Sequence, residues 1–362
     1  MHIAIVGTRG IPARYGGFET FAEELSTRLV RRGHQVRVYT RARHTEPAYR
    51  GVSLVYFPTI RHKYFDTVAH TFLCTLHLLA NRCDVALYCN AANAVFTWVP
   101  RLAGMPVVLN VDGLERKRKK WNALARGWYL VSERLSTVCP TEAVSDAEQI
   151  AKYYQNRYSR HTRFIPYGAE VGRIESTGAL ERLGLAPGGY FLYVSRMEPE
   201  NNALLVREAF EALDTSRKLV LVGDAPYAED YIRRVRDTQD ARVLLPDAIY
   251  GEGYRELQSH CFAYIHATEV GGTHPALIEA MGRGAVVLYL DTPENAEVAA
   301  GAGIAFRSGP DLTAKLEAVL LMNNGERNEL GRAAMQRVAQ RYSWDAVTDA
   351  YEKLLSGMLR SR

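Results

Sequence analysis

A glycine-rich loop near the N-terminus has the residue types of an anion-binding site. Gly16 and Gly17 end a loop that follows the apolar strand pattern of residues 3–6, and a helical repeat of apolar residues comes next. A helix N-terminus offers unpaired N–H groups and the positive end of a dipole, so a glycine-lined approach to it can hold phosphate. The spacing matches neither G-x-G-x-x-G nor G-x-x-x-x-G-K-[ST]. Because glycine also serves long turns that need positive φ, the loop alone leaves both interpretations open.

A second glycine loop, in the other half of the chain, favours anion binding. Gly271 and Gly272 follow a strand pattern, Pro275 stands where a first helical residue would be, and Glu279 comes about one turn later. Such a helix start can direct N–H groups at phosphates while a carboxylate binds a ribose diol. Arg196, at the end of a strand, offers phosphate a bidentate cation. Each residue alone has an ordinary structural explanation, but the combination predicts a nucleotide site.

Strands and helices must position these residues. They alternate along the first half of the chain, and the same alternation starts again in the second half. Strands are expected near residues 2–7, 35–40, 52–57, 84–88, 106–111, 137–140 and 163–166, with helices such as 19–32, 68–81, 122–135 and 145–154. Further apolar strands are expected at 190–196, 218–224, 242–246, 261–267 and 285–290. Two doubly wound parallel sheets follow, joined near the glycine-rich segment 165–190. Ligands bind beyond the carboxyl ends of such strands, so facing sheets predict a nucleotide-sized cleft between the domains.

Length and composition indicate two globular domains without a membrane span. A chain of 362 residues with 47% hydrophobic residues is too long for one typical core. The most apolar segment, 68–80, is too short to cross a bilayer, and the N-terminus begins with a strand instead of a signal peptide. The five cysteines lack C-x-x-C spacing, which favours reduced thiols and a cytoplasmic location.

Positive charge is concentrated in the first half of the chain. Residues 1–180 carry a net charge of +11, and residues 181–362 carry −6. Much of the excess lies in a basic run beside Trp121, made of Arg116, Lys117, Arg118, Lys119 and Lys120. The run is compatible with a solvated face, and equally with an anionic membrane surface or a lipid diphosphate. Nucleic acid is disfavoured, because no recognition-helix, zinc-finger or RRM pattern accompanies it.

Over nearly its whole length the sequence resembles the retaining family 4 glycosyltransferases of the GT-B fold. The matching segments are the glycine pair at 16–17 and "AVSDAEQIAKYY", "IPYGAE", "SRMEPENN", "LVGD", "GGTHPALIEAM" and "YSWDAVTDAYEKLL". The resemblance implies an α/β chain of two facing Rossmann-like domains, 1–172 and 173–342, with the nucleotide-sugar cleft between them. A helix at 343–362 would cross back to the first, acceptor-binding domain. The implied enzyme moves a sugar from a nucleotide diphosphate donor to a hydroxyl of a glycan or lipid-linked acceptor.

The resemblance also implies roles for individual residues. The loop of Gly16 and Gly17 and the arginine Arg196 would hold the donor diphosphate, and Glu279 would hold the ribose. Other residues assigned to donor binding are Gly271, Gly272, Thr273 and Asn201, and those assigned to the acceptor side are Arg9, Arg14 and Tyr15. Asp112, in "NVDG", stands where many relatives have an active-site histidine, which makes it a catalytic candidate beside Arg196. A turn aspartate before glycine is the simpler interpretation of Asp112.

Two positions depart from the family pattern. Asn201 replaces a lysine that usually follows the arginine, so the charge of the leaving group depends more on Arg196. Gly271 stands at the place of the first of two glutamates, since nine residues lie between Glu269 and Glu279 where the family has seven between its pair. With "GTRGIPARYGGFET" and "NVDGLERKRKKW", these departures resemble a bacterial branch that includes β-1,4-rhamnosyltransferases of surface-polysaccharide assembly. That branch implies dTDP-L-rhamnose as the donor.

The chemistry of the leaving group predicts how catalysis would proceed. Breaking the sugar–phosphate bond places negative charge on the diphosphate, which preorganised cations and N–H groups stabilise. No D-x-D triplet occurs in the sequence, which favours an enzyme that needs no divalent metal and no cofactor beyond its donor substrate. The family implies retention by front-face attack, with the departing phosphate taking the proton of the acceptor hydroxyl.

Three alternatives remain at this point. A sugar-nucleotide epimerase of the same fold would use the same nucleotide site without an acceptor. An NADP-dependent oxidoreductase could bind a 2′-phosphate at Arg41 and Arg43, which follow the second strand, although the missing G-x-G-x-x-G argues against it. A noncatalytic nucleotide-sugar sensor is the third. The predicted location is cytoplasmic, and the basic run is compatible with a peripheral position on the inner face of the cell membrane.

Overall fold

Unbroken apolar runs in the sequence become buried parallel strands, as the first strand shows. In the computed structural model, Ile3, Ala4, Ile5 and Val6 are all buried. A parallel sheet is covered by helices on both faces, so its strands need apolar residues at consecutive positions. The chain divides into two compact units, Met1–Tyr167 with Trp344–Arg362, and Gly168–Ser343.

The structure describes residues 1–14, 16–60, 62, 65–119, 121–225 and 228–360. Tyr15, which the sequence assigns to the acceptor side, and Lys120 of the basic run lie outside the described residues. In the described part of the chain, no helix is both long enough and apolar enough to cross a membrane.

The first unit is built on one sheet. Its strands are β1 (His2–Val6), β2 (Gln35–Thr40), β3 (Ala48–Tyr49), β4 (Val52–Tyr56), β5 (Val85–Cys89), β6 (Val107–Asn110), β7 (Glu142–Ser145) and β8 (Arg163–Phe164). Among the described residues these form eight strands in the order β3-β4-β2-β1-β5-β6-β7-β8. Neighbouring strands pair in parallel, apart from the antiparallel pair of β3 and β4. The order reverses between β1 and β5, which is the topological switch point where such sheets bind ligands.

Helices cover this sheet with the apolar faces that the sequence predicts. They are α1 (Gly17–Arg31), α2 (Asp66–Ala80), α3 (Ala94–Leu102), α4 (Ala123–Leu135) and α5 (Glu148–Tyr158). In α1, Phe21, Ala22, Leu25 and Leu29 recur at helical spacing and are buried.

The second unit repeats the architecture on a smaller sheet. Its strands are β9 (Tyr190–Val194), β10 (Lys218–Val222), β11 (Val243–Leu244), β12 (Ala263–His266), β13 (Val287–Leu290) and β14 (Ile304–Phe306). The order is β11-β10-β9-β12-β13-β14, with all the described pairs parallel. Its helices are α6 (Gly178–Arg182), α7 (Ala203–Glu211), α8 (Glu229–Arg236), α9 (Gly251–His260), α10 (Pro275–Gly282), α11 (Pro293–Ala299), α12 (Gly309–Leu321) and α13 (Asn324–Arg341). The switch point of this sheet lies between β9 and β12.

The last helix, α14 (Trp344–Arg360), belongs to the first unit. The Tyr351 ring lies 5.2 Å from the Phe21 ring of α1, and the Tyr351 hydroxyl accepts a hydrogen bond of 2.9 Å from the Asn110 amide. Arg32 pairs with Glu352 at 2.7 Å, and hydrogen bonds from His34 and Arg32 hold the pKa of Glu352 below its usual value. A segment distant in sequence therefore completes the core of the first unit.

One predicted strand is misplaced, and the short strands β3 and β14 are not among those predicted. Residues 137–140 continue the end of α4, because the N–H groups of Val138 and Cys139 bond to the Leu135 carbonyl at 3.0 and 2.8 Å. The strand itself, β7, follows immediately after. β14 has only three residues between turns, which is too short for a sequence pattern to reveal.

Candidate functional site

Arg196 lies just beyond the carboxyl end of β9, beside the switch point of the second sheet. Its carbonyl oxygen accepts hydrogen bonds from the Asn201 amide at 2.6 Å, the Glu198 backbone N–H at 2.7 Å and the Ser195 hydroxyl at 2.9 Å. Its guanidinium is 28% exposed and lies 3.8 Å from the Glu198 carboxylate. That separation is too long for a hydrogen bond. The backbone is therefore held firmly, while the cation keeps surface that an anion can reach.

Asn201 has a different environment from the one that the sequence suggests. It is buried, its amide nitrogen bonds to the Arg196 carbonyl, and its own carbonyl accepts from the Tyr193 hydroxyl. The side-chain nitrogen of Asn201 fixes the backbone from which the Arg196 side chain extends. The donor-binding role that the sequence assigns to Asn201 stays a prediction.

Gly223 of the "LVGD" segment is a residue whose role sequence reasoning did not find. Its φ is +152°, and a Cβ atom there would lie 1.8 Å from the Ser195 carbonyl oxygen. Only glycine permits so close an approach of two backbone segments. Gly223 therefore allows the turn that carries Arg196 to pack against the end of β10.

The second glycine loop leaves the same edge of the sheet as Arg196. Gly271, Gly272 and Thr273 are buried between β12 and α10, and α10 begins at Pro275 as the sequence predicts. β12 pairs directly with β9 in parallel register, with Ile265 opposite Tyr193. The Arg196 turn and this loop, hereafter the donor loop (residues 267–274), therefore follow neighbouring strands on the two sides of the switch point.

Glu279 lies in the second turn of α10 and is partly exposed. The Tyr254 hydroxyl donates a hydrogen bond of 2.7 Å to its Oε2, and the Gln258 amide donates to the Tyr254 oxygen at 2.8 Å. Favourable interaction with the helix dipole falls off within the first turn, so the dipole does not explain the position of Glu279. A chain of hydrogen bonds from α9 instead orients this carboxylate.

Glu269 is bonded within the unit at the start of the donor loop. Its Oε1 accepts a hydrogen bond of 3.0 Å from the Asn202 amide, and its backbone N–H donates to the Glu200 carbonyl at 2.9 Å. Asn202 has a left-handed backbone, with φ of 60°, and also bonds to the Ala267 carbonyl at 2.9 Å. Glu269 therefore connects the donor loop to the turn after β9.

In the first unit, α1 itself holds the glycine loop. Gly16 is the N-cap of α1 and Gly17 its first residue. The Glu19 carboxylate accepts from the Arg9 N–H at 2.8 Å, and the Glu23 carboxylate accepts from the Ala13 N–H at 2.7 Å. Burial raises the pKa of Glu19. The loop is therefore anchored before any ligand arrives.

Arg9 and Arg41 share one carboxylate. Asp66 Oδ2 lies 2.8 Å from Arg41 Nη1 and 3.4 Å from Arg9 Nη2, and Arg41 also donates to the Thr67 hydroxyl at 3.2 Å. Arg9 is 34% exposed and Arg14 is exposed. Their predicted place on the acceptor side stays a prediction. Arg41 is engaged by Asp66 and Thr67, and it is therefore a poor candidate for the 2′-phosphate cation of the oxidoreductase alternative.

Asp112 directly follows Val111 beyond the end of β6. Its φ is +58°, in the left-handed region that aspartate tolerates better than most residues. Its backbone N–H donates a hydrogen bond of 3.0 Å to the Asn110 side chain. These features belong to a turn aspartate, and they leave a role in the reaction to be tested.

The basic run is not a continuous exposed patch. Arg116 pairs with Glu133 at 2.9 Å and donates to the Tyr153 hydroxyl at 2.8 Å, while Arg118 is buried against Glu115. Lys117 and Lys119 are exposed. The alternation arises because residues 115–117 form a 3-10 turn, so the predicted surface of basic residues is reduced to these two lysines among its described members.

Comparison with known proteins agrees with this arrangement in both units. Residues 16–168 match the glycosyl transferase 4-like domain, and residues 200–353 match the glycosyl transferase-like family. Lipopolysaccharide 1,2-N-acetylglucosaminetransferase of Salmonella typhimurium strain LT2 is 28% identical over 184 residues, which are 45% of this chain and 46% of that enzyme. The match thus spans just under half the length of this relative.

Solved structures resemble the chain over its entire length. Sucrose-phosphate synthase from Thermosynechococcus elongatus superposes with a TM-score of 0.81 at 18% identity, covering 100% of both chains. HepE from Anabaena, solved with UDP-glucose, superposes with a TM-score of 0.80 at 16% identity, covering 99% of this chain and 100% of that one. At these identities the likeness shows the fold. With a glycosyl transferase 4-like first unit and a glycosyl transferase-like second unit, the chain belongs to the glycosyltransferases of the GT-B fold.

Proposed function

We propose that the chain is a retaining glycosyltransferase that moves a sugar from a nucleotide diphosphate donor to a hydroxyl of a glycan or lipid-linked acceptor. One observation carries the proposal. Arg196, the donor loop and Glu279 all belong to segments that follow β9 and β12, the two strands beside the switch point. A permanent cation, a helix start lined by glycine and an oriented carboxylate are the groups that diphosphate and ribose require.

The reaction follows from how charge develops. The bond between the anomeric carbon and the donor phosphate oxygen breaks, and the acceptor oxygen forms its new bond on the same face of the sugar. The departing phosphate takes the proton of the acceptor hydroxyl. Arg196 and the N–H groups of the donor loop stabilise the negative charge of the diphosphate as it leaves. Because these groups are part of the protein, the proposed reaction needs no divalent metal.

Donor binding and turnover together test this proposal. A thermal-shift screen of nucleotide sugars should identify a donor, because a ligand that binds the folded state raises its apparent stability. Incubation of that donor with candidate acceptors should yield a glycoside of retained anomeric configuration, at the same rate with and without EDTA. Conversion of the donor alone into another nucleotide sugar would identify an epimerase. Binding without turnover on any matched acceptor would indicate a sensor, and loss of activity with EDTA would contradict metal independence.

The proposed donor sugar is L-rhamnose carried on dTDP. Its support is the resemblance of residues 8–21, of 110–121 and of the "PENN" segment at 199–202 to a branch that acts in surface-polysaccharide assembly. UDP-glucose is the natural comparison, since HepE was solved with it. The screen should rank dTDP-L-rhamnose above UDP-glucose, and the opposite ranking would assign a different sugar while leaving the reaction class in place.

We also expect a weak peripheral association with anionic membrane surfaces through Lys117 and Lys119. Each lysine near such a surface contributes up to about 1 kcal/mol, so replacing both with alanine should weaken binding to phosphatidylserine-containing vesicles roughly tenfold. Donor affinity should stay unchanged. The matched control replaces Lys152 and Arg157, two exposed cations of α5 in the same unit. Equal losses from both double variants would show that the two lysines form only a solvated face.

A further inference from the structure

Three neighbouring helices of the first unit expose large apolar side chains. α3 packs against both α2 and α4, and the Phe72 ring of α2 lies 6.2 Å from the Phe96 ring of α3. The exposed large apolar side chains of these helices, hereafter the apolar face, are Phe72, Leu76, Trp98, Leu102, Leu124, Trp128, Leu130 and Val131. All the other described helices together carry one such side chain, Leu321. Contiguous apolar surface of this kind marks an interaction site.

α4 makes the largest contribution to the apolar face. Leu124, Trp128 and Val131 are 85%, 38% and 53% exposed. They are four and three residues apart, so they project from the same side of the helix. The side chains that α4 buries are Tyr129, Ser132 and Glu133. A surface helix ordinarily buries its apolar side and exposes its polar side. α4 exposes apolar groups and buries polar ones, which packing within the unit does not explain.

The charge around the apolar face has one sign. Among the described residues of 85–140, every exposed charged side chain is positive: Arg101, Lys117, Lys119, Arg126 and Arg134. The carboxylates of this segment are buried or partly buried: Asp112, Glu115 and Glu133. Arg101 also donates a hydrogen bond of 2.7 Å to the Val138 carbonyl, which connects α3 to the end of α4. A partner that covers the apolar face must therefore accept apolar groups and present negative charge beside them.

We propose that the apolar face docks into the interface of an anionic bilayer, with Leu124, Trp128 and Val131 at the boundary between headgroups and acyl chains. Apolar side chains insert at this boundary, tryptophan is favoured there because its ring is apolar and its N–H is polar, and cations meet the anionic headgroups. A second copy of the chain is the competing occupant. A two-fold interface through this face would bring the same cations of both copies together, whereas anionic lipids neutralise them.

This docking adds an apolar contribution to the electrostatic one expected from Lys117 and Lys119. The two lysines directly precede α4 in the chain, and α4 packs against the turn at residues 115–117. Salt screens the attraction of exposed lysines, but it does not weaken the burial of apolar surface. The consequence for the substrate rests on the proposed function: an enzyme held in this way takes an acceptor that is itself anchored in the bilayer.

A double variant, Leu124→Gln with Val131→Gln, tests the docking. Both side chains are exposed, so their replacement opens no cavity in the core. We expect the variant to bind vesicles of phosphatidylserine and phosphatidylcholine at least about tenfold more weakly than wild type. At roughly 1 M salt, where the Debye length is about 3 Å, wild type should still bind and the variant should not. The matched control is Leu321→Gln with Val171→Gln, an exposed pair in the second unit that should bind like wild type.

Tryptophan fluorescence reports insertion directly. Lipids that carry bromine on their acyl chains should quench the emission of wild type on vesicles, and Trp128→Phe should lose part of this quenching while the protein stays bound. Unquenched emission, or equal vesicle binding by the two double variants, would overturn the inference. A wild-type dimer that becomes a monomer in Leu124→Gln with Val131→Gln would also overturn it, because the apolar face would then be an interface between copies of the chain.

Turnover with a soluble acceptor fragment distinguishes this inference from the proposed function. Both double variants should keep that turnover within about twofold of wild type, because substitutions of exposed side chains outside the site have small effects. Vesicle binding as expected, with no turnover on any acceptor, would overturn the proposed function and leave the docking in place. Normal turnover without vesicle binding would overturn the docking alone.

Discussion

Replacing Arg196 with alanine should lower turnover at least about 100-fold, the effect of removing one preorganised group that stabilises developing charge. The Arg196 backbone is held by hydrogen bonds from Ser195, Glu198 and Asn201, so the guanidinium is the part that the substitution changes. Its loose contact with Glu198, at 3.8 Å, means that little folding energy depends on the side chain. The measurement is kcat with saturating donor and acceptor, accompanied by a thermal melt.

The matched control is Arg307→Ala. Arg307 is 83% exposed, belongs to the same unit and pairs with Asp291 at 2.9 Å. Its loss should leave turnover within about twofold, because an exposed ion pair contributes little. Arg196→Lys should recover only part of the activity, since an ammonium group cannot bind phosphate in a bidentate manner. Near-normal turnover of Arg196→Ala would remove Arg196 from the mechanism.

Glu279→Ala should raise the apparent dissociation constant of the donor by about 10- to 100-fold. A charged hydrogen bond contributes roughly 1.5–3 kcal/mol, and without Glu279 the ribose diol would lose its acceptor. The Tyr254 hydroxyl orients the carboxylate through its bond of 2.7 Å to Oε2. Tyr254→Phe should therefore weaken donor binding in the same direction but by less, since the carboxylate itself remains. Isothermal titration with the nucleoside diphosphate suffices, because the ribose is present in it.

Glu269→Ala should affect the stability of the protein and not its affinity for the donor, the opposite of what we expect for Glu279→Ala. Glu269 bonds to Asn202 and, through its backbone, to Glu200, so its loss should lower the thermal midpoint while leaving donor affinity nearly unchanged. A hydrogen bond to a charged group contributes about 1.5–3 kcal/mol to stability. Because Glu269 is partly exposed, we expect its loss to cost no more than that. If donor affinity fell more for Glu269→Ala than for Glu279→Ala, the donor loop would place Glu269 at the first-glutamate position, and the assignment of Gly271 to it would be wrong.

Several features of this protein follow from local sequence alone. The consecutive apolar residues of β1 and β9 predict parallel strands, since only strands covered on both faces need them. Pro275 predicts the start of α10, because proline has a suitable φ and lacks the N–H that a first helical residue leaves unpaired. The apolar spacing from Phe21 to Leu29 predicts α1. These signals arise from neighbours within a few residues, so they can be recognised before any tertiary contact is known.

Other features depend on which segments the fold brings together. Arg116 and Arg118 look like part of an exposed basic run, yet partners at Glu133 and Glu115 bury or bond them. The sequence shows that Asn201 is polar, but only the structure shows that its amide bonds to the Arg196 carbonyl. In each case the charge or polarity of a residue is visible in the sequence, but the group that pairs with it is set by packing.

The sequence by itself determined the strand–helix alternation, the glycine loops and the candidate residues Arg196 and Glu279, because these depend on local conformation and residue chemistry. Only the tertiary structure decided that Arg196 and the donor loop follow adjacent strands, since strand order is a property of the whole sheet. It also decided that the His274 ring meets the Asn295 side chain, 21 residues away, at 2.6 Å. A hydrogen bond between distant segments produces no periodic pattern in the sequence. It can therefore be identified only when the positions of both partners are known.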